Sequence, residues 1–124
     1  MNPKDLQIRT KQFAIRIVKL VQYLQKDPVG KIIANHQLLR CGTAVGANYR
    51  AVCRSQSVKH FISKLAIVIE EADESQFWLE ILVEADIVKP ELVKDLLQEA
   101  GEIVAIMTAS RNSTIKNQKN KTKR

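Results

Sequence analysis

Residues 37–50, QLLRCGTAVGANYR, have the pattern of a helix whose apolar, small and basic residues fall on separate faces. Successive residues of an α-helix are turned by about 100° around its axis, which decides which side chains share a face. The apolar face consists of Leu38, Val45, Tyr49 and Val52, and the opposite basic face of His36, Arg40, Arg50 and Arg54. The stretch therefore predicts a helix that packs on one side and carries positive charge on the other.

Two glycines, Gly42 and Gly46, lie on one flank of this helix. Each costs a helix interior about 1 kcal/mol relative to Ala. A glycine pair four residues apart removes side-chain bulk from one strip, so another helix can approach closely. The pair predicts a tight helix–helix contact that offsets its cost.

The composition favours a single all-α domain. The chain has 124 residues, enough for one core, and only four glycines and three prolines interrupt it. No segment alternates apolar and polar residues as a half-buried strand would. The N-terminus lacks the apolar core of a signal peptide, and no apolar run approaches the ~18 residues of a membrane span. We expect a cytoplasmic protein without a membrane partner.

Periodicity and helix-start residues predict four helices arranged as an antiparallel up-down bundle. They cover about residues 3–25, a start at Pro28 or Lys31 to about Arg54, about 57–84 with Ser57 as a cap, and Pro90 to about Ser110. The remaining residues, 111–124, are polar, basic and without apolar periodicity. We expect a bundle domain at 1–110 and a disordered basic tail at 111–124.

An ordered set of short stretches resembles a known bacterial family. The stretches are residues 37–40, 42–50, 61–65, 70–74 and 77–79. The pattern is similar to the four-helix-bundle family of the 23S rRNA intervening-sequence protein, and to its relative, the accessory variability determinant of diversity-generating retroelements. The resemblance implies an antiparallel four-helix protomer in a ring, a homopentamer, with nucleic-acid binding suggested for some relatives.

The third predicted helix is apolar on more than one face, which indicates self-association. Trp78 is the preferred interface anchor, because Trp is enriched at buried interface centres; the alternative is that it fills the end of the protomer core. The predicted interface consists of Gly42, Gly46, Ile67, Phe77, Trp78 and Ile81.

Charge is sharply divided along the chain. Residues 1–64 have a net charge of +10, residues 65–110 of −9 and residues 111–124 of +6, which together give the total of +7. Cations at the start of the third helix oppose its dipole, an arrangement that an anion would relieve. The predicted nucleic-acid or partner site consists of Arg40, Arg50, Arg54, Lys59, His60 and Lys64. A solvated basic surface is the alternative.

The chain lacks the patterns of an enzyme. It has no phosphate-binding glycine loop, no nucleophile elbow and no pair of Glu-x-x-His motifs for a di-metal site. Cys41 and Cys53 are about 18 Å apart on one predicted helix, too far for a disulfide, so we expect buried free thiols, with redox sensing as the alternative. We expect no metal and no cofactor.

These observations predict a non-enzymatic, oligomeric helical-bundle adaptor. Its partners would be further copies of itself and RNA or DNA backbone, or a nucleic-acid enzyme such as a reverse transcriptase, bound through the basic surface. The alternative is a structural assembly module without a nucleic-acid ligand. In that interpretation Arg40, Arg50 and Arg54 form salt bridges between subunits with acids of the third helix.

Overall fold

The chain folds into helices, as the sequence predicts. A computed structural model describes residues 1–122, and every regular element in that part of the chain is helical. The elements are α1 (Pro3–Tyr23), α2 (Pro28–Ile32), a π-helical segment (Ile33–Leu38), α3 (Leu39–Val52), α4 (Val58–Glu84) and α5 (Pro90–Thr122). Because α2, the π-helical segment and α3 follow without a gap, residues 1–122 form four helical rods.

Side-chain caps fix where the helices begin. Asn2 accepts a hydrogen bond from the backbone N–H of Asp5 at 2.9 Å, and Ser57 accepts one from the backbone N–H of His60 at 3.0 Å. Each bond satisfies an amide that has no partner inside its helix. The predicted starts of the first, third and fourth helices are confirmed.

The second rod contains a feature that the sequence analysis did not predict. Its residues Ile33–Leu38 form a π-helical turn between two α-helical parts. The side chains of Gln25 and Asn35 exchange hydrogen bonds of 3.1 and 3.3 Å, which tie this turn to the end of α1. Before the turn, Gly30 is buried, and a Cβ atom there would lie 2.7 Å from Cγ2 of Ile87.

One core runs through the four rods. α3 packs against both α1 and α4, α4 packs against α5, and α1 also contacts α5. The largest fully buried side chains include Phe13, Ile17, Leu38, Leu65, Leu79 and Ile103. Each rod contributes to this cluster, so the sequence buries a single core, as its length predicts.

The fourth predicted helix is longer than expected. α5 continues through Thr122, so the expected end at Ser110 is wrong and residues 111–122 are helical rather than disordered. Arg111, Thr114, Ile115 and Gln118 are half-buried at helical spacing, and such a stripe favours continued helix. Lys123 and Arg124 of the predicted tail lie outside the described residues.

The two cysteines are free and differ in exposure. Cys41 is buried, and its Sγ accepts a hydrogen bond from Oγ of Ser75 at 3.3 Å. Burial raises the pKa of the Cys41 thiol. Cys53 is exposed, so the expectation of buried thiols is correct for Cys41 and wrong for Cys53.

Candidate nucleic-acid interface

The corner between α3 and α4 carries the centre of the predicted basic site. Arg50 and Arg54 lie in the last turn of α3 and just after it, and Lys59 lies in the first turn of α4; all three are exposed. The hydroxyl of Ser55 donates to the backbone O of Val52 at 2.6 Å. With Ser57 capping α4, hydrogen bonds hold both sides of this corner, and the three cations project from a defined backbone.

No carboxylate accompanies these cations. Residues 47–65 contain no Asp or Glu, and within residues 1–122 none of Arg50, Arg54 and Lys59 forms an ion pair. Their charge therefore remains available to an anion.

Two further predicted site residues are less accessible. His60 and Lys64 are half-buried. The backbone N–H of Gln56 points at Nδ1 of His60, 3.4 Å away, which places the ring beside the corner. His60 and Lys64 therefore present less of their surface to a ligand than the three exposed cations do.

The last part of α5 adds cations that the sequence analysis assigned to a disordered tail. Residues 103–122 contain four basic residues and no acid. Lys116, Lys119 and Lys121 are exposed, and Arg111 is half-buried. Because this segment is helical, its charges hold fixed positions relative to the bundle.

Arg40 does not join this group. Its guanidinium donates to Glu74 at 2.6 Å and to Glu71 at 3.1 Å, both on α4 of the same chain. The hydrogen bond to Glu74 is the main cause that raises the pKa of Arg40. Arg40 also lies ten residues, or about 15 Å of helix, from Arg50. Carboxylates of its own chain therefore neutralise Arg40 in the protomer, and its predicted role in the binding site or between subunits stays a prediction.

A second paired arginine was not singled out from the sequence. Arg9 on α1 donates to Glu99 at 2.6 and 2.7 Å and to Glu102 at 2.9 Å, both on α5. The Glu99 carboxylate is the largest influence raising the pKa of Arg9. These three side chains join the first helix to the last across 90 and 93 positions, and no local pattern predicts that pairing.

Gly42 and Gly46 form helix–helix contacts inside the protomer. Gly42 is buried, and a Cβ atom there would lie 2.7 Å from two carbons of Ile17. A Cβ atom at Gly46 would lie 3.1 Å from the backbone O of Thr10. The predicted close helix contact is confirmed, and its partner is α1. The assignment of Gly42 to an interface between copies is wrong, because α1 covers it.

The aromatic pair on α4 divides between core and surface. Trp78 is half-buried against the core, and its Nε1 is buried without a hydrogen-bond partner within residues 1–122. Phe77 is 51% exposed. The two rings meet edge to face with centroids 5.0 Å apart. Ile67 and Ile81 are half-buried on the same helix. Phe77, rather than Trp78, is the aromatic side chain open to a partner.

A surface groove of about 340 Å³ runs along the line where α1 and α3 meet. Lys11 and Arg50 are its charged lining residues, and no carboxylate lines it. Its apolar and small lining residues are Ile8, Ala14, Gly46 and Ala47. Neither Ile8 nor Lys11 was predicted from the sequence; the signal available was Ile8, an apolar residue at an exposed position of α1.

Two other findings concern the described residues alone. Within residues 1–122, no three His, Cys, Asp or Glu side chains are grouped so as to hold a metal ion. Over the same range, none of the helices combines the length and apolar character that crossing a membrane requires.

Comparisons with known proteins agree with this architecture. The family model described as 23S rRNA-intervening sequence protein matches residues 4–109. The chain is similar to a crystal structure from Bacteroides thetaiotaomicron, described as a protein with unknown function from the S23 ribosomal protein family, at 30% identity and a TM-score of 0.83, covering 90% of this chain and 99% of that one. A comparison with curated proteins found no match. From the extent of the family match, the chain belongs to the 23S rRNA-intervening sequence protein family.

Proposed function

We propose that this protein is a non-enzymatic, self-associating helical bundle that binds the phosphate backbone of RNA or DNA at one end of the protomer. The observation that carries the proposal is a set of eight cations in two segments, 47–65 and 103–122, that contain no acid. They are Arg50, Arg54, Lys59, Lys64, Arg111, Lys116, Lys119 and Lys121.

An up-and-down course of the rods would bring these segments to the same end. The side chain of Cys41, near the start of α3, meets that of Ser75, in the second half of α4, and the short corner at 53–57 joins the end of α3 to the start of α4. A Cβ atom at Gly101 would lie 3.5 Å from Nε2 of Gln76, and residues 85–89 join α4 to α5. These contacts support an arrangement in which the end of α3, the start of α4 and the end of α5 are neighbours.

The chemistry of this end favours phosphate over bases. Phosphate contacts use cations and helix-start amides, whereas stacking on the bases of a single strand needs exposed aromatic rings. The aromatic residues of segment 47–65 are Tyr49, which is buried, and Phe61, which is half-buried against the core. Burial also raises the pKa of Tyr49 to about 12. We therefore expect binding with little sequence preference.

The oligomer belongs to the same proposal. We infer a ring of identical subunits, with five subunits as the resemblance implies, that would multiply the number of basic ends on one particle. Several weak contacts to one nucleic acid would then act together and raise the overall affinity. The resemblance to the retroelement determinant makes a reverse transcriptase a further candidate partner for the same surface.

Binding of labelled RNA and DNA, followed by fluorescence anisotropy across a salt series, tests the proposal. The variant K116Q/K119Q should bind about tenfold more weakly at low salt. The slope of log affinity against log salt should fall by about one for each phosphate contact removed.

The matched control is K26Q/K31Q, which removes the same charge from two exposed lysines near the start of α2. It should retain most of the affinity, because these lysines lie at the opposite end of the rods from the acid-free segments. Equal losses in both variants would indicate a diffuse charge effect. Absence of binding by the wild-type chain at low salt would instead favour an assembly module without nucleic acid.

A further inference from the structure

We propose that Phe77 of one copy inserts into the groove between α1 and α3 of a second copy. This inference rests on the self-association included in the proposed function, and it specifies which two surfaces meet. The two surfaces differ, so each copy would offer one aromatic side chain and one groove. Contacts of this kind are heterologous, and they close into rings when the rotation between copies allows it.

Phe77 has the exposure and the orientation of an interface anchor. It is the one exposed aromatic residue of α4, with 51% of its surface accessible. The edge-to-face contact with Trp78, at an interplanar angle of 79°, orients its ring. A held aromatic ring loses little conformational freedom on binding, and aromatic side chains contribute large buried areas at interfaces.

Carboxylates surround Phe77 on the surface of α4. Residues three, four and seven positions away on a helix are its neighbours on the same face. Five of these six positions hold acids, and the sixth holds Ile81; the acids are Glu70, Asp73, Glu74, Glu80 and Glu84. Glu74 is paired with Arg40, whereas the other four form no ion pair within residues 1–122. The partner of Phe77 should therefore combine an apolar recess with free positive charge.

The α1–α3 groove has both properties. Ile8, 54% exposed, and Ala47 offer apolar surface, and Gly46 adds no side-chain bulk. Lys11 and Arg50 line the same groove and form no ion pair within residues 1–122. Either cation could also lie against the face of an inserted ring, which is a favourable contact.

Charge distinguishes this groove from the other large recess. A recess of about 820 Å³ near the start of α2 contains both signs of charge, from Lys26 and Lys89 on one side and Asp27 and Glu91 on the other. It would offer an acid-surrounded aromatic no net attraction. Complementary potentials orient partners and suppress wrong pairings, so the α1–α3 groove is the better match for Phe77.

Two substitutions remove one surface each without changing the charge. F77A deletes the anchor, and A47W fills the groove. Each should shift the mass measured by size-exclusion with light scattering from an oligomer to the 14.1 kDa monomer at concentrations where the wild-type chain is assembled. The controls are L92A and A105W, at exposed positions of α5 outside both surfaces; they should leave the assembly intact.

Mixing the two defective variants gives the sharper result. F77A retains its groove and A47W retains its anchor, so an equimolar mixture should form a 1:1 heterodimer of about twice the monomer mass and stop there. Each heterodimer has no working surface left for a third chain. A mixture that remains monomeric would overturn the proposal. So would variants that each keep the wild-type oligomer mass.

The assay contains no nucleic acid, which separates the two proposals. A monomeric wild-type chain would remove the self-association on which this inference rests. An assembled wild type whose mass neither F77A nor A47W alters would reject the Phe77 contact alone. Backbone binding at the basic end would be measured independently in either case.

Discussion

The contact between α3 and α1 and the corner between α3 and α4 belong to the same helix but are built differently. Along the first, a Cβ atom at Gly42 would lie 2.7 Å from Ile17, so packing determines what can stand there. Around the second, Arg54 and Lys59 are exposed and have no ion-pair partner within residues 1–122. Packing restricts which side chains the first region can hold. The cations of the second region have no partner within that part of the chain and can contact a ligand.

This difference predicts that the two regions respond to substitution in opposite ways. Changes at the α1–α3 contact should alter the free energy of unfolding and leave binding per folded molecule unchanged. Changes at the corner should alter binding and leave unfolding nearly unchanged, because exposed residues without partners contribute little to stability.

The largest effect is expected for G42A. The added methyl group would meet two carbons of the buried Ile17 at 2.7 Å. Overpacking costs about 1–3 kcal/mol, and the better helix propensity of Ala returns about 1 kcal/mol. We expect a net loss of up to about 2 kcal/mol, measured by urea denaturation. A higher urea midpoint than wild type would show that α1 can move aside.

The next effect is expected at the corner. R54Q/K59Q should weaken nucleic-acid binding about tenfold at low salt, which corresponds to about 1.4 kcal/mol. Its free energy of unfolding should stay within about 0.5 kcal/mol of wild type. Anisotropy and urea denaturation on the same preparation check both. Unchanged affinity with lowered stability would assign these cations to the fold.

Substitution of the two paired arginines, Arg9 and Arg40, should have effects of intermediate size. Arg9 and Glu99 are about 80% buried at their side chains, whereas half of the Arg40 side chain is exposed. Removing one partner of a pair that is largely removed from solvent costs more than breaking an exposed pair, because the remaining charge loses its compensation. R9Q should cost about 1 kcal/mol of stability and R40Q less than about 0.5 kcal/mol. A reversed order in urea denaturation would contradict this assignment.

At a glycine without a close neighbour, substitution by Ala should increase the free energy of unfolding rather than decrease it. A Cβ atom at Gly101 would meet only Nε2 of Gln76, at 3.5 Å, which is an ordinary contact. G101A should therefore gain about 0.5–1 kcal/mol from helix propensity and reduced unfolded-state entropy. This variant is the matched control for G42A, and destabilisation of both would mean that the distance to the neighbour does not decide the outcome.

The smallest expected effect is a change in how stability depends on pH. The hydrogen bond from Gln98, followed by that from Arg9, lowers the pKa of Glu102 below its ordinary value of 4.5. A lowered pKa in the folded state contributes stability that is present above the ordinary pKa and is lost as pH falls through the folded value. E102Q should therefore lose less stability than wild type between pH 5 and pH 3. Parallel urea midpoints of the two proteins would contradict this.

Local signals were sufficient for most of the fold. Ser57 caps α4 as its sequence position predicts. The spacing of Gly42 and Gly46 likewise predicts the close contact between helices. Both features depend on neighbours within a few residues. The end of α5 depends on surroundings that a polar, basic composition does not reveal, so residues 111–122 were predicted as disordered.

The site was predicted only in part for a related reason. Arg50, Arg54 and Lys59 could be grouped from the sequence because they lie on either side of one corner. The pairing of Arg40 with Glu74 spans 34 positions, and the groove combines Lys11 with Arg50 from different helices. Contacts between distant positions follow from how the helices pack, which a single sequence without its structure does not specify.

The π-helical turn at Ile33–Leu38 sets the rotational phase between the two parts of the second rod. A π-turn contains about one residue more than the α-helical path it replaces. Deleting one residue there would restore regular α-helix and rotate everything before it by about 100° relative to α3. Gly30 would then turn away from Ile87, and a side chain would take its place against that residue. The extra residue of the π-turn thus decides which face the first part of the rod presents while α3 keeps its own.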